Sequence, residues 1–269
     1  MSAKQDRNFD DLIDRFETRI YDTVKGSWRL DLLQQDLHQF TLPPSLKIWD
    51  AGCGQGQIAL WLAGFGHQLT LCDLSSRMLD KAREKFARAG REAKFHHQSA
   101  QSLAIQLDEF DLVLCHAVIE WLADPLTSIR AIAEKVRPGG YLSLLFYNRN
   151  AMVYGNVLRG GWRLKPILED SYLGQGHKLT PPNPQYPHEL ISIMHAQGFQ
   201  VKAHTGIRVF HDYMSKQARE NSDMSELFEL EKRYCRLPAY RDMGRYVHLL
   251  LHRTDDSSSD GQETPGSIC

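Results

Sequence analysis

Short apolar runs alternate with amphipathic segments through the first half of the chain. The apolar runs predict strands at 46–49, 68–73, 93–97, 110–115 and 140–146, whereas apolar residues three and four apart predict helices at 57–65, 75–89 and 125–136. Strands and helices that alternate in this way favour an α/β fold, with a parallel sheet covered by helices on both faces.

The flanking regions break this alternation. Residues 8–40 predict helices, the first capped by Asn8, and the pair at 43–44 is Pro-Pro. Glycines and prolines at 148–187 predict loops with at most one or two short helices. A helix at 187–197, a strand at 199–205, a helix at 225–235 and a strand at 245–252 follow. We therefore expect a helical lid at 1–42, a main domain at 43–253 with an insertion at about 148–187, and a disordered acidic tail at 254–269.

A glycine-rich loop joins the first strand to the first helix of the alternating region. It contains Gly52, Gly54 and Gly56, and the second strand ends at Asp73. Glycines let the backbone approach a ligand, and the acid can accept hydrogen bonds from both hydroxyls of a ribose. In dinucleotide-binding loops the third glycine comes one position later, where this chain has Gln57. The loop therefore favours S-adenosylmethionine (SAM) over a nicotinamide dinucleotide, although a tight turn without a ligand is the alternative. We expect Asp50 to brace the loop by accepting its N–H groups.

Three further stretches follow the later strands. Ala100 and Gln101 come after the third strand, His116 ends the fourth, and a turn at 136–142 leads into the fifth. In open α/β sheets this carboxyl edge is where ligands bind. Together with the glycine loop, these signals resemble the class I SAM-dependent methyltransferases. That resemblance implies a seven-stranded, mostly parallel Rossmann-like sheet with helices on both faces and an antiparallel last strand, here 245–252.

More specific stretches extend the resemblance over residues 5–253. Segments 7–11, 21–26, 116–125, 145–148 and 205–213, continued at 231–236 and 244–246, are similar to the tRNA 5-carboxymethoxyuridine methyltransferases of gamma-proteobacteria. This resemblance implies methyl esterification of the carboxylate of 5-carboxymethoxyuridine at the wobble position (U34), within the tRNA anticodon loop. The cofactor contacts of that family fall here on Arg29, Gly52, Cys53, Asp73, Ala100, Gln101 and His116.

Such a reaction needs positioning rather than a base. A carboxylate has a reference pKa of about 4 and is already ionised at neutral pH. An arginine fork could orient it, so Arg208 is the leading candidate, with Tyr147 expected at the mouth of the pocket. The alternative for Arg208 is an ion pair with Asp212, four residues later. Unstacked bases of an anticodon loop need aromatic and basic side chains; the candidates are Tyr147, Tyr213, Tyr240, Tyr246, His211, Arg241 and Arg245.

Composition and charge bear on possible partners, location and metal binding. The net charge of −1 does not indicate nucleic-acid binding, although the C-terminal half has a mild basic excess. Five cysteines form no C-x-x-C pair, and no apolar run approaches the ~20 residues of a membrane span, so we expect a cytoplasmic protein. His96 and His97 are adjacent on a strand and point to opposite faces, so we expect no metal site.

Three other hypotheses stay open at this point. One is a SAM enzyme acting on a small carboxylic acid, an acyl carrier or a quinone, because lid helices and a variable insertion suit those substrates equally. Another is a non-catalytic SAM-fold protein that binds RNA. The third is a nicotinamide oxidoreductase, which Gln57 disfavours.

Overall fold

The sheet is built as the alternation predicts. The computed structural model describes residues 6–10, 23–42, 44–171 and 180–255. Its strands are β1 (Lys47–Ala51), β2 (Gln68–Asp73), β3 (Lys94–His97), β4 (Phe110–His116), β5 (Val136–Tyr147), β6 (Phe199–Ile207) and β7 (Tyr246–Arg253). Within the described residues these seven strands form one sheet in the order β3-β2-β1-β4-β5-β7-β6. Only β7 runs antiparallel to its neighbours, β5 and β6. The predicted class I methyltransferase sheet is confirmed.

Helices cover both faces of this sheet. They are α1 (Val24–Asp36), α2 (Gln57–Ala63), α3 (Ser76–Arg88), α4 (Ala100–Ala104), α5 (Pro125–Ala133), α6 (Arg149–Arg159), α7 (Leu164–Leu168), α8 (Pro187–Ala196), α9 (Lys216–Glu220), α10 (Met224–Tyr234) and α11 (Pro238–Arg241). Successive residues of β4 enter different cores: Leu112 and Leu114 join one, and Val113 and Cys115 join the other. Two-sided burial explains the continuous apolar run that predicts this strand.

Helix α1 packs against the C-terminal half of the domain. Thr23 caps it, since its side chain accepts a hydrogen bond from the N–H of Gly26 at 3.1 Å. The ring of Trp28 stacks on Phe228, with centroids 4.9 Å apart, and meets His211 edge-on at 5.5 Å. These contacts place α1 beside α10 and the segment that follows β6. Most of the helix that we predict after Asn8 lies outside the described residues.

The insertion is more helical than its composition predicts. Where we expected loops with at most one or two short helices, α6 runs for 11 residues and is followed by a 3-10 turn (Gly161–Arg163) and α7. Asn148 caps α6 by accepting a hydrogen bond from the N–H of Asn150 at 3.0 Å. Gly155 lies inside the helix, and a Cβ there would meet only the ring of Tyr213, at 3.8 Å. The glycine is therefore tolerated in a helix rather than ending one.

Two shorter corrections concern the main domain. The segment that follows the third strand, for which we predict no helix, is the start of α4, with Ser99 as its cap. The helix predicted at 125–136 ends at Ala133, because Val136 already pairs with Phe110 as part of β5.

Among the described residues, no helix is both long and apolar enough to cross a membrane. Of the predicted tail, all but 254–255 lies outside the described residues.

Candidate active site

One cavity lies at the carboxyl edge of β1, β2 and β4. All seven residues predicted to contact the cofactor line it: Arg29, Gly52, Cys53, Asp73, Ala100, Gln101 and His116. They come from α1, the glycine loop, the end of β2, the start of α4 and the end of β4. Residues separated by up to 87 positions are therefore brought together, as the topology of a parallel sheet requires.

The glycine loop adopts a left-handed backbone at each glycine. The φ angles are +83° at Gly52, +52° at Gly54 and +67° at Gly56, in the region that other residues rarely adopt. A Cβ on Gly52 would lie 2.6 Å from the side chain of Val118, so close packing as well as conformation requires glycine there. The loop N–H groups of Gly52 and Cys53 donate to the carbonyl of Cys72, at 3.0 and 2.8 Å.

The carboxylate that braces this loop is Asp73, not Asp50. Its Oδ2 accepts a hydrogen bond from the N–H of Gly54 and its Oδ1 accepts one from the N–H of Ser75, both at 2.8 Å. The expectation that Asp50 accepts these loop N–H groups is wrong. Burial and the charge of Asp73 raise the pKa of Asp50 to about 8, so it is not a strong acceptor. A carboxylate has about four acceptor positions, which leaves two on Asp73 for a ligand.

His116 and Arg29 line the same cavity and lie near each other. Nε2 of His116 lies 2.7 Å from the hydroxyl of Ser143. Burial, with the guanidinium of Arg29 nearby, lowers the pKa of His116 well below its usual range, so the ring is neutral at neutral pH. The guanidinium of Arg29 supplies a permanent positive charge to the same cavity.

A short segment that we did not predict as part of the site, residues 6–10, borders the cavity. Arg7 and Phe9 line it, and the ring of Phe9 packs edge-on against Trp121 at 4.9 Å. Asp6 accepts hydrogen bonds from the side chain of Gln101 at 2.5 Å and from a backbone N–H at 2.8 Å. In the sequence, the only indication that this segment belongs to the site is the resemblance of residues 7–11 to the family. That resemblance assigns no role to Arg7 or Phe9.

A cluster of basic side chains surrounds Asp212 beside this cavity. Its carboxylate lies 3.1 Å from Nε of Arg208, 3.9 Å from Nε of Arg245, 3.7 Å from Nζ of Lys25 and 2.9 Å from Nδ1 of His211. Although burial opposes it, Arg208 and His211 hold the pKa of Asp212 well below its usual range. Three permanent cations against one carboxylate leave the cluster with an excess of positive charge. We call these five residues the Asp212 cluster.

Arg208 and Tyr147, the candidates for positioning the acceptor, lie in different places relative to the cavity. Arg208 makes the ion pair with Asp212 that was its alternative, and its guanidinium also lies 5.5 Å from the ring centre of Tyr246, which lines the cavity. Tyr147 is not at the mouth of the cavity. Its ring is 2% exposed and lies beneath Arg245, 4.7 Å from the guanidinium, and beside Tyr246.

Two of the proposed base-stacking residues, both partly exposed, make contacts within the protein. Tyr240 packs against Phe210 and Tyr234, and the hydroxyl of Tyr213 donates to the carbonyl of Met243 at 2.5 Å. In the described part of the chain, no group of three or more His, Cys, Asp or Glu side chains is placed to share a metal ion.

The chain is similar in sequence to known methyltransferases. Residues 49–144 match the family model described as a methyltransferase domain. The chain is 38% identical to the tRNA 5-carboxymethoxyuridine methyltransferase of Escherichia coli K12 over 255 residues, covering 93% of this chain and 97% of that protein. It is 37% identical to the ubiquinone biosynthesis O-methyltransferase of Aromatoleum aromaticum, but over only 45% of this chain and 53% of that protein.

Solved structures share the fold at low identity. Magnesium protoporphyrin IX methyltransferase from Synechocystis PCC 6803, with bound SAH, superposes with a TM-score of 0.59 at 17% identity, covering 91% of this chain and 96% of that one. The cyclase SpnF superposes with a TM-score of 0.54 at 18% identity, covering 86% and 82%. A cyclase and a methyltransferase thus share this architecture, so the fold does not choose the reaction.

Proposed function

The chain belongs to the tRNA 5-carboxymethoxyuridine methyltransferase family, and from this premise we propose that it methylates the carboxylate of 5-carboxymethoxyuridine in tRNA. The acceptor would be the wobble nucleotide U34, and the product its methyl ester. The observation that carries the proposal is that the relationship spans 93% of the chain, well beyond the matched methyltransferase domain at 49–144. A relationship of that length includes the Asp212 cluster, whose members lie outside the matched domain.

The cavity residues fit SAM as the cofactor. When bound, SAM supplies a methyl group already activated on a sulfonium. Asp73 would hold the ribose hydroxyls, Arg29 the methionine carboxylate, and the left-handed loop at Gly52 and Cys53 would let the backbone approach the nucleoside. Near α4, the amide oxygen of Gln101 is buried and accepts no hydrogen bond from the described residues, so it is available to an adenine amino group.

The acceptor needs no general base. Its carboxylate is ionised at neutral pH, so rate depends on holding an oxygen in line with the methyl group. The excess positive charge of the Asp212 cluster attracts a carboxylate and the nearby tRNA phosphates. Arg208 connects that cluster to the cavity through Tyr246, which makes it our candidate for orienting the acceptor carboxylate.

The proposal includes a division of the chain into a lid, a methyltransferase domain and a tail. Residues 1–42 would form a lid, 43–253 the methyltransferase domain, and 254–269 a tail. The anticodon loop would approach from the side of the Asp212 cluster. A cytoplasmic location follows from the proposed substrate, since tRNA is modified there.

The other hypotheses are less well supported. Similarity to a ubiquinone biosynthesis O-methyltransferase covers about half of each chain, so it supports shared cofactor chemistry rather than a shared acceptor. A non-catalytic RNA-binding role would leave the cavity residues without a function. A nicotinamide dinucleotide would require a third glycine where Gln57 stands.

The test uses isotopically labelled SAM and bulk tRNA from a strain lacking this gene, followed by mass spectrometry of the nucleosides. We expect a nucleoside one methyl group heavier than 5-carboxymethoxyuridine, and we expect mild alkali to return it to the acid. A protein that binds SAM but transfers no label to this tRNA would refute the tRNA assignment and favour a small carboxylic acid. A labelled product that resists alkali would refute the ester.

A further inference from the structure

A line of buried polar side chains leads away from the cavity along one face of the sheet, between the strands and α1. Nε2 of His116 lies 2.7 Å from Oγ of Ser143, and that oxygen lies 2.8 Å from Nε2 of His248. Nδ1 of His248 lies 2.7 Å from Oδ2 of Asp36, and Oδ1 of Asp36 accepts a hydrogen bond from Arg236 at 2.7 Å. We call His116, Ser143, His248 and Asp36 the relay. Ser143 and His248 are both 0% exposed, so the relay crosses an otherwise apolar interior.

Asp36 sets the direction of the hydrogen bonds in the relay. Burial would raise the pKa of this carboxyl, but the hydrogen bond from His248 and the charge of Arg236 lower it to about 2, so Asp36 is a carboxylate that only accepts. Nδ1 of His248 must therefore carry a proton. Arg236 already pairs with Asp36, and His248 is fully buried, so a second cation beside this carboxylate would have no partner. The relay as we infer it therefore has a single proton on His248, at Nδ1.

The proton positions then follow one after another. A neutral His248 with a proton on Nδ1 has a lone pair on Nε2, so the hydroxyl of Ser143 donates to it. Only lone pairs of that oxygen remain for His116, whose Nε2 must then carry the proton. The other ring nitrogen, Nδ1 of His116, is left as an acceptor. It makes no hydrogen bond with any described residue, and the ring lines the cavity.

We propose that the relay fixes the tautomer of His116 so that its Nδ1 accepts a hydrogen bond from the α-ammonium group of the cofactor. The inference rests on the proposed function only for the identity of that cofactor. The methionine end of SAM carries a carboxylate, which suits Arg29, and an ammonium, which needs an acceptor. Ser143, His248 and Asp36 are positioning residues, since they act on the ligand only through His116.

One substitution reverses every hydrogen bond in the relay without removing any side chain. In Asp36→Asn, the amide oxygen would stay with Arg236, and the amide N–H would donate to Nδ1 of His248. His248 would then carry its proton on Nε2 and donate to Ser143, whose hydroxyl would donate to Nε2 of His116. The proton of His116 would move to Nδ1, and the cavity would meet the cofactor ammonium with a donor instead of an acceptor.

The first experiment reads the tautomer directly in the ligand-free protein. Two-bond nitrogen–proton NMR correlations distinguish the two neutral tautomers of a histidine from its charged form. We expect His116 to be protonated on Nε2 in the wild type and on Nδ1 in Asp36→Asn. In the matched control Arg236→Lys, which keeps a cation beside Asp36, the proton should stay on Nε2. In Ser143→Ala the relay is interrupted, and we expect a mixture.

The second experiment measures affinity by calorimetry with two ligands. S-adenosylhomocysteine carries the amino-acid end of the cofactor, and 5′-methylthioadenosine lacks it. Asp36→Asn should bind S-adenosylhomocysteine about tenfold to hundredfold more weakly, the usual worth of a hydrogen bond to a charged group. Its affinity for 5′-methylthioadenosine should stay within about twofold, because that ligand has no ammonium to meet His116.

Two results would overturn the inference. One is a wild-type His116 that is charged or protonated on Nδ1, or that does not change tautomer in Asp36→Asn. The other is an equal loss of affinity for both ligands, which would indicate a distorted pocket. If Asp36→Asn does not fold, Ser143→Ala decides the same question, and an unchanged tautomer there refutes the relay. A wild type that binds neither ligand would refute the proposed cofactor instead, while the tautomer measurement would still stand.

Discussion

The loop that carries Arg208 depends on one buried carboxylate, Glu231 of α10. Its two oxygens accept hydrogen bonds from three consecutive backbone N–H groups, those of Val209 at 2.6 Å, Phe210 at 3.0 Å and His211 at 2.8 Å. In Glu231→Gln one oxygen becomes an amino group that faces an N–H donor. Since a hydrogen bond to a charged group contributes about 1.5–3 kcal/mol, we expect a loss of about 2–3 kcal/mol in the free energy of unfolding.

That loss should be visible in thermal unfolding followed by circular dichroism. For a chain of this size it corresponds to a fall of roughly 4 to 12 °C in melting temperature. The matched control is Glu229→Gln on the same helix, where a side chain that is 72% exposed pairs with Lys232. An exposed ion pair contributes at most about 1 kcal/mol, so the control should melt close to the wild type.

The same variant separates the two halves of the site. Glu231 does not line the cavity, so Glu231→Gln should bind S-adenosylhomocysteine within about twofold of the wild type. Its kcat/KM for tRNA should fall about tenfold, because the loop no longer holds Arg208 in place. If the two glutamine variants melt at the same temperature, or if cofactor affinity falls as far as tRNA methylation, our account of this loop is refuted.

Three further predictions concern single side chains. Asp73→Asn should weaken S-adenosylhomocysteine binding by at least about tenfold in calorimetry, because ribose hydroxyls lose a charged acceptor; unchanged affinity would contradict the assigned role. Arg208→Ala should lower kcat/KM for tRNA by about 30-fold or more while cofactor affinity holds, whereas Lys216→Ala, an exposed residue nearby, should change neither. The pKa of Asp36 is lowered to about 2 in the folded state, so this carboxylate should add about 2 kcal/mol to the free energy of unfolding above pH 4. That contribution should be lost as the pH falls towards 2. In urea unfolding, the difference in free energy of unfolding between the wild type and Asp36→Asn should narrow over that pH range. A constant difference would contradict the lowered pKa of Asp36.

Local patterns predicted the sheet well because each strand carries its own signal. The runs at 68–73 and 110–115 match β2 and β4 to within one residue. The ends of such strands lie along one edge, so Asp73 and His116 could be placed at a common cavity without any knowledge of packing. The antiparallel β7 was different, since its direction came from the family resemblance rather than from its residues.

The misses have identifiable physical causes. In the insertion, Gly155 is expected to break a helix, but the capping side chain of Asn148 and the buried side chains of α6 outweigh its low helix propensity. Asp50 precedes the glycine loop in sequence, yet Asp73 on the neighbouring strand reaches the loop N–H groups. Both errors come from treating a residue by its sequence neighbours when a partner in space decides its role.

The relay could not be read from sequence at all. Its hydrogen bonds join residues 27, 105 and 212 positions apart, on β4, β5, β7 and α1. No spacing rule covers such distances, and each of its members alone looks like an ordinary buried polar residue. The Asp212 cluster is similar, because Lys25 reaches it from the far end of the chain.

Arg208 adopts a backbone conformation that side chains avoid, with φ at +61°, and Ala117 beside His116 does the same at +57°. Each such residue costs on the order of 1 kcal/mol relative to a relaxed backbone. Glycine would relieve that strain at position 208, but it would also remove the buried guanidinium that pairs with Asp212. Removing one partner of a buried ion pair costs more than the strain that glycine would relieve. The fold therefore keeps a strained backbone at this point because a long cationic side chain satisfies Asp212, and a library of variants sorted for resistance to heat should keep arginine at 208 as firmly as one sorted for tRNA methylation.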